Sequence, residues 1–393
     1  MSYRQHEFRV QVAAHPIAYP VLRGLRRFGP AVRVRGLGVV VNDAGTARRL
    51  MVDGASFHRG GGSAADLWTA VFGPSVLLNM DGPEHTTMRR KLRDFFTPAY
   101  VDQLCAGVLG EPLARLSDRL ERGGRVDVVD ATRVMSGAVT SALIGFDVAG
   151  TLDEREAAYR GLVTKVDEIT AMVKMGRMRL TPAQIARAKA IAAQVGAAAG
   201  RAWREGDENT AVGRMRGSGL TEEESRGLAS AFLIAGTETI SSLIPRLVAL
   251  LHDHGDLPRI AEALRAGDNG PLDAATTEAV RLITPTPIIM RYAARESTVG
   301  RVTVHPGERI LISTVNCAKA YGPFDLSRSH PPEIRRLWFG AGPHFCLGYP
   351  LAMAEVYAIV GAVLRHGPVR VVRRRAARGV FFPAYRTLDV VRA

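Results

Sequence analysis

Apolar positions along this chain recur mostly at the spacing of helices, and only a few short runs alternate as strands do. Val32-Arg33-Val34 and Val39-Val40-Val41, joined through a turn at Gly36, predict a hairpin, and Asp43 to Met51 predicts a helix. From Asp81 onward helical patterns dominate. Pro83 marks one helix start, with Met88, Leu92, Phe95 and Phe96 as its apolar positions. Further helices are predicted over about 101–121, 128–145, 153–175 and 182–204, and Thr181-Pro182 supplies a cap and first turn to the last of them. The longest begins at a capping box, Thr221-Glu222-Glu223-Glu224, and runs to about His252. Pro245 lies within it and frees the carbonyl of Ser241, which predicts a bend or local break. Strands return at 288–294 and 301–314, then as a pair between Val369 and Val391. The fold class is mainly α with small β-sheets, not a βαβ alternation.

Composition narrows this picture. The 393 residues contain no Gly/Ser or Pro-rich linker, no repeat and no low-complexity block, which predicts one domain. Its parts are a β-rich N-terminal portion at about 30–60, a helical core at about 80–365 and C-terminal strands at about 369–392. Three dispersed cysteines, Cys105, Cys317 and Cys346, exclude a disulfide framework and fit a reducing interior. The N-terminus has no apolar leader and no stretch approaches a membrane span, so the expectation is a cytoplasmic monomer with no membrane partner. The formal charge of +14 comes from scattered arginines without interleaved aromatics, which argues against nucleic acid.

Candidate chemistry concentrates near the C-terminus, in Phe339-Gly340-Ala341-Gly342-Pro343-His344-Phe345-Cys346-Leu347-Gly348. Gly340 and Gly342 let a turn fold flat against a large planar group. A helix beginning near Gly348 would place Cys346 at its N-terminus, where the dipole favours an anion and lowers the thiol pKa. The string F-G-x-G-x-H-x-C-x-G resembles the haem-binding signature of the cytochrome P-450 superfamily, soluble bacterial type. The resemblance spans roughly residues 80 to 355. It implies the cytochrome P-450 fold over one domain, with haem b between the long distal helix and the helix after the cysteine loop. It also implies Cys346 as iron ligand, with Phe339 and Gly348 bordering the cofactor.

The rest of the chain supplies matching pieces in the order the family shows. Ala235-Gly236-Thr237-Glu238-Thr239 resembles the oxygen-binding helix: Ala235 and Gly236 would leave room above the iron, Thr239 would donate to dioxygen, and Glu238 would connect it to a proton supply. His85 and Arg89, four apart on a helix, Arg291 in a strand, and His344 resemble the partners of the two haem propionates. Glu278 and Arg281 resemble the structural pair that buttresses the haem loop. The stretch Ala320 to Asp325 is short and has Gly322 where relatives carry a third arginine; Arg328 or another group substitutes, or the network is a pair. The resemblance also places a pocket at the 57–80 loop, the 150–205 helix pair and nearby segments, with Trp68, Phe232, Ile240, Ile288, Ile289 and Phe381 making it apolar.

The implied activity is a haem-thiolate monooxygenase that uses dioxygen to hydroxylate or epoxidise a small apolar organic substrate, in secondary metabolism. No G-x-G-x-x-G follows a strand, so electrons would come from an iron–sulfur ferredoxin and its NAD(P)H reductase. The alternatives are peroxide-driven, desaturating or oxidative-coupling chemistry on the same haem, and a non-catalytic haem-thiolate ligand-binding protein.

Overall fold

The structure is a computed structural model that describes residues 3–58, 64–146, 148–173, 180–208 and 210–393. Residues 59–63 and 174–179, which belong to segments expected to border the pocket, lie outside the described residues. In chain order the first elements are α1 (Tyr3–Ala14), α2 (Ala18–Leu25), β1 (Ala31–Val34), β2 (Gly38–Val41), α3 (Ala44–Val52), β3 (Phe57–His58) and α4 (Ala64–Phe72). Next come α5 (Gly82–Leu92), α6 (Pro98–Glu121), β4 (Val126–Asp127), α7 (Val128–Leu143), α8 (Leu152–Ala171), α9 (Pro182–Glu205), α10 (Ala211–Gly217) and the long α11 (Glu222–His254). The remainder is α12 (Leu257–Arg265), α13 (Gly270–Ile283), β5 (Ile288–Ala293), β6 (Ser297–Val299), β7 (Val302–Val304), β8 (Arg309–Ser313), α14 (Thr314–Lys319), α15 (Tyr349–Leu364), β9 (Val369–Ala376) and β10 (Tyr385–Arg392). Helices thus dominate, with a five-stranded sheet β1-β2-β8-β5-β3, a three-stranded sheet β4-β10-β9 and the pair β6-β7.

Helix α11 is the axis of the core. It packs against α7, α9, α13 and α15, while α15 also packs on α6. Its first turn is fixed by the expected capping box: the Thr221 hydroxyl accepts from the Glu224 N–H, and the Glu224 carboxylate accepts from the Thr221 N–H at 2.8 Å, a device worth about 1 kcal/mol. The break expected at Pro245 is absent, and the helix runs through it without interruption. Ile244, Leu247, Val248 and Leu251 around the proline are fully buried. Each such side chain contributes about 1.5–3 kcal/mol, which outweighs the roughly 3 kcal/mol an internal proline costs. Helix α11 is long and apolar enough to cross a membrane, but 61% of its apolar window is buried inside this fold.

The N-terminal helices were not legible as periodic patterns. Helix α1 is mostly polar, and a buried ion pair attaches it to the core: Glu7 faces Arg246 of α11, whose Nη1 also donates to the Ser242 hydroxyl at 3.0 Å and the Pro383 carbonyl at 3.1 Å. The sheet positions the next part of the site. Strand β2 runs parallel to β8, with Val40 opposite Leu311, and β5 runs antiparallel to β8, with Arg291 opposite Ile310.

Candidate active site

A cavity of about 1180 Å³ lies between α11 and the loop that leads into α15. That loop is shaped by two glycines in the left-handed region, Gly340 at φ 84° and Gly342 at φ 63°. A Cβ at Gly342 would stand 2.8 Å from the Met51 carbonyl oxygen of α3, so only glycine allows the close approach. The Cys346 N–H donates to the Phe339 carbonyl at 2.8 Å and closes the loop, and the Gly348 N–H donates to the Cys346 sulfur. Gly348 is the N-cap of α15.

The expected depression of the Cys346 thiol pKa is not what this geometry produces. Burial pushes it up, and the Gly348 N–H and the Arg89 guanidinium pull it down by less. Desolvation of an anion outweighs one amide and a helix end. A metal cation bound there would supply the missing compensation, because a thiol loses its proton when it coordinates a metal.

One side of the cavity carries basic side chains. His85 and Arg89 project from α5, Arg291 from β5 and His344 from the loop, and all four line the same space. His344 Nε2 lies 3.1 Å from an Asp81 oxygen, and its ring centroid is 4.1 Å from that of His85. Arg291 is 2% exposed and bonds the Met290 carbonyl at 2.8 Å. Burial pushes its pKa down to about 10 against the pull of Asp81, and burial also lowers that of Arg89. No ion pair joins either guanidinium to a carboxylate among the described residues. One buried and one half-buried guanidinium without carboxylates are costly unless an anion faces them. A planar group bearing two carboxylates, with a thiolate-binding metal at its centre, fits this donor set. Haem b has those features.

Behind the loop, Glu278 and Arg281 of α13 form a buried bidentate pair with separations of 2.8 and 2.5 Å. Arg281 also donates to the carbonyls of Ala318, Gly322 and Pro323. The open question of the missing arginine resolves into two groups: Arg328 Nε donates to Glu278 at 3.1 Å, and His330 Nε2 lies 2.8 Å from its other oxygen. Burial raises the Glu278 pKa, but bonds from Arg281 and His330 hold it below the ordinary carboxylate range. The His330 ring meets Trp338 edge-on at 5.6 Å, one residue before Phe339. The buttress therefore reaches the cysteine loop. Arg328 and His330 substitute for a local arginine because the shortened loop brings them back onto Glu278.

On the opposite wall, Ala235, Gly236, Thr239 and Ile240 of α11 line the cavity. Thr239 Oγ1 donates to the Ala235 carbonyl at 2.6 Å. Gly236 does more than leave space in the cavity: α7 crosses so close that a Cβ there would meet the Thr140 hydroxyl at 2.9 Å, and Thr140 would have to turn aside for it. Glu238 is not among the cavity-lining residues. It faces Asp167 and Thr170 of α8 and Arg133 of α7, and Arg133 grips Asp167 through bonds of 3.2 and 2.5 Å. Burial and then the Asp167 carboxylate push the Glu238 pKa up to about 8. Asp167 and Arg133 escaped the sequence reading because no local motif ties them to a helix far along the chain. The apolar candidates Trp68, Phe232, Ile240, Ile288, Ile289 and Phe381 all border this one cavity.

Comparison with known proteins agrees with this geometry. The family model Cytochrome P-450 matches residues 271–376. The cyclomarin C epoxidase CymV of Salinispora arenicola is 27% identical over 71% of this chain and 70% of its own length. Cytochrome P-450 165B3 of Amycolatopsis orientalis is 26% identical over 74% and 71%. Among solved structures, P450BioI in complex with an acyl carrier protein carrying hexadec-9Z-enoic acid superposes with a TM-score of 0.80 over 98% of this chain and 99% of that one, at 20% identity. The LnmA hydroxylase from the leinamycin pathway of Streptomyces atroolivaceus gives 0.75 over 95% and 96%, at 23% identity. The chain belongs to the cytochrome P-450 superfamily, enzymes whose cofactor is haem b.

Proposed function

We propose that this chain is a cytoplasmic monooxygenase that inserts one oxygen atom of dioxygen into a small apolar molecule, with electrons from an iron–sulfur ferredoxin and its NAD(P)H reductase. The observation that carries the reading is the cavity itself, which Cys346 of the loop and Thr239 of α11 line together with the four basic side chains. Haem held there would supply reduction and cleavage of dioxygen, and a thiolate ligand favours that cleavage. Cys346 is the metal-facing group, oriented by Gly348 and the Phe339 carbonyl. His85, Arg89, Arg291 and His344 bind the two carboxylates, and Glu278 with Arg281 holds the loop.

The distal residues handle protons. Thr239 Oγ1 holds one over the cavity while it donates to Ala235, and Glu238 keeps a second in reserve because its carboxyl is protonated near neutral pH. The apolar end, with Phe232, Ile288 and Phe381, excludes water and orients a hydrocarbon portion of the substrate. Exposed arginines on the cysteine-loop side of the cavity, Arg90, Arg93, Arg335 and Arg336, suit an acidic ferredoxin. The named activities of CymV, an epoxidase, and LnmA, a hydroxylase of a biosynthetic pathway, support hydroxylation or epoxidation in secondary metabolism.

The test is turnover of an apolar ligand that displaces water from the iron, using ferredoxin, reductase, NADPH and isotopically labelled dioxygen. Label in the product is the expected result. Product that forms faster with peroxide than with the ferredoxin system would select the peroxide-driven alternative instead.

A further inference from the structure

Ile17, Val21, Gly24 and Phe28 fall on one side of α2 and the short 3-10 turn that extends it to Phe28. The opposite side is the packed one, where Leu22 is buried against Val40 and Leu311 with Leu25 beside it. The outward stripe is apolar where solvent should meet polar groups. Ile17 is 77% exposed, Val21 50% and Phe28 75%, and they are three of the five large apolar side chains that stand exposed among the described residues. Isolated exposed apolar residues are ordinary, but a contiguous stripe marks a contact surface.

Arginine flanks the stripe. No acidic residue occurs from Phe8 to Asn42, a stretch that contains six arginines. Arg33 pairs with Glu308, whereas Arg23, Arg26, Arg27 and Arg35 are exposed and make no ion pair among the described residues. The same segment borders the active-site cavity, whose lining reaches Gly36 and Leu37 in the β1–β2 turn. There Arg309 donates to the carbonyls of Leu37 and Gly36 at 2.7 and 3.0 Å.

We propose that the outer face of α2, with the β1–β2 turn, is a peripheral docking surface for an anionic phospholipid bilayer. Ile17, Val21 and Phe28 enter the headgroup boundary, and Arg23, Arg26, Arg27 and Arg35 meet lipid phosphates. A surface helix with an apolar stripe and a row of arginines is the composition of an interfacial helix. A bilayer supplies both things this face asks for, an apolar layer for Ile17, Val21 and Phe28 and a row of anionic phosphates for the arginines beside them. The sequence expectation of no membrane rested on the lack of a spanning stretch, and peripheral contact needs none. The arrangement sets an edge of the apolar cavity beside the lipid, where an apolar substrate concentrates.

The test is flotation of the full-length, haem-loaded protein with vesicles of phosphatidylglycerol and phosphatidylcholine, compared with phosphatidylcholine alone. Expected is partitioning onto the anionic vesicles that weakens with salt, and a loss of about fivefold for each of Arg23→Gln, Arg26→Gln and Arg27→Gln. Phe28→Ser with Ile17→Ser should also lose binding although net charge is unchanged. A control with Arg119→Gln and Arg122→Gln, which removes charge from the exposed C-terminal end of α6, a helix that packs on α7 and α15, should keep it. Equal losses in the control, indifference to Phe28→Ser, or binding equal on both vesicle types would overturn the proposal. Concentration-dependent self-association without vesicle binding, or retention by an acidic protein alone, would overturn it too. Haem content and melting temperature of each variant show whether it folds, and vesicle binding does not depend on the reaction at the haem site.

Discussion

The two walls of the cavity are built on different principles. On the cysteine side the groups that hold the loop are committed: Glu278 receives Arg281, Arg328 and His330, Arg281 is bound to three carbonyls, and the Cys346 sulfur accepts from Gly348. On the α11 side the Thr239 hydroxyl folds back on its own helix, and two carboxyl groups, Glu238 and Asp167, stand together under one arginine. The first wall is a rigid mount. The second holds its charge in a form that changes with protonation. A metal ligand must be fixed in place, whereas a proton donor must be able to give its proton up and regain it.

The largest expected effect comes from the mount. Glu278→Ala leaves Arg281 buried without its carboxylate, which costs about 3–5 kcal/mol for an orphaned buried charge. The check is denaturant unfolding together with haem content, and both should fall. An unchanged midpoint would mean that the carbonyl bonds of Arg281 suffice without the acid.

On the other wall, Thr239→Ala should leave stability and haem content unchanged while product per dioxygen consumed falls by about 10²-fold, the low end of what a positioned proton donor contributes. The measurement is product yield against peroxide released. Tight coupling in that variant would remove Thr239 from its role and weaken the contrast between the walls.

The smallest effect is a titration. Glu238 binds its proton more tightly in the folded chain than in the unfolded one, so its contribution to stability is present at acid pH. That contribution is lost as pH rises from the ordinary carboxylate range toward about 8. The slope is at most about 1.4 kcal/mol per pH unit, and Glu238→Gln should remove it. Asp167→Asn should lower the midpoint, because burial remains but the neighbouring carboxylate is gone and Arg133 is freed toward Glu238. Infrared titration of the protonated carboxyl band measures this directly; a midpoint that stays put would show burial alone at work.

The sequence disclosed what lies close along the chain. Phe339 to Gly348, Glu278 with Arg281, and Thr221 to Glu224 act within a few residues of one another, so spacing alone carries their geometry. It could not disclose Asp167 and Arg133, which reach Glu238 only through the packing of α7 and α8 on α11, nor His330, which the shortened loop turns back onto Glu278. The close approach of α7 at Gly236 is likewise a property of the packed fold. At Pro245 local backbone chemistry predicts a bend or local break, and the helix stays unbroken because it is buried on all sides there. The thiol of Cys346 was misjudged because helix position was weighed without the desolvation that only the folded cavity imposes.

The central claim is that Cys346 places a thiolate on haem iron opposite Thr239. The carbon monoxide difference spectrum of the reduced protein tests it most directly. The wild-type chain should give the thiolate-type band, and Cys346→Ser should lose it entirely. A Cys346→Ser protein that keeps the thiolate-type band would contradict the assignment.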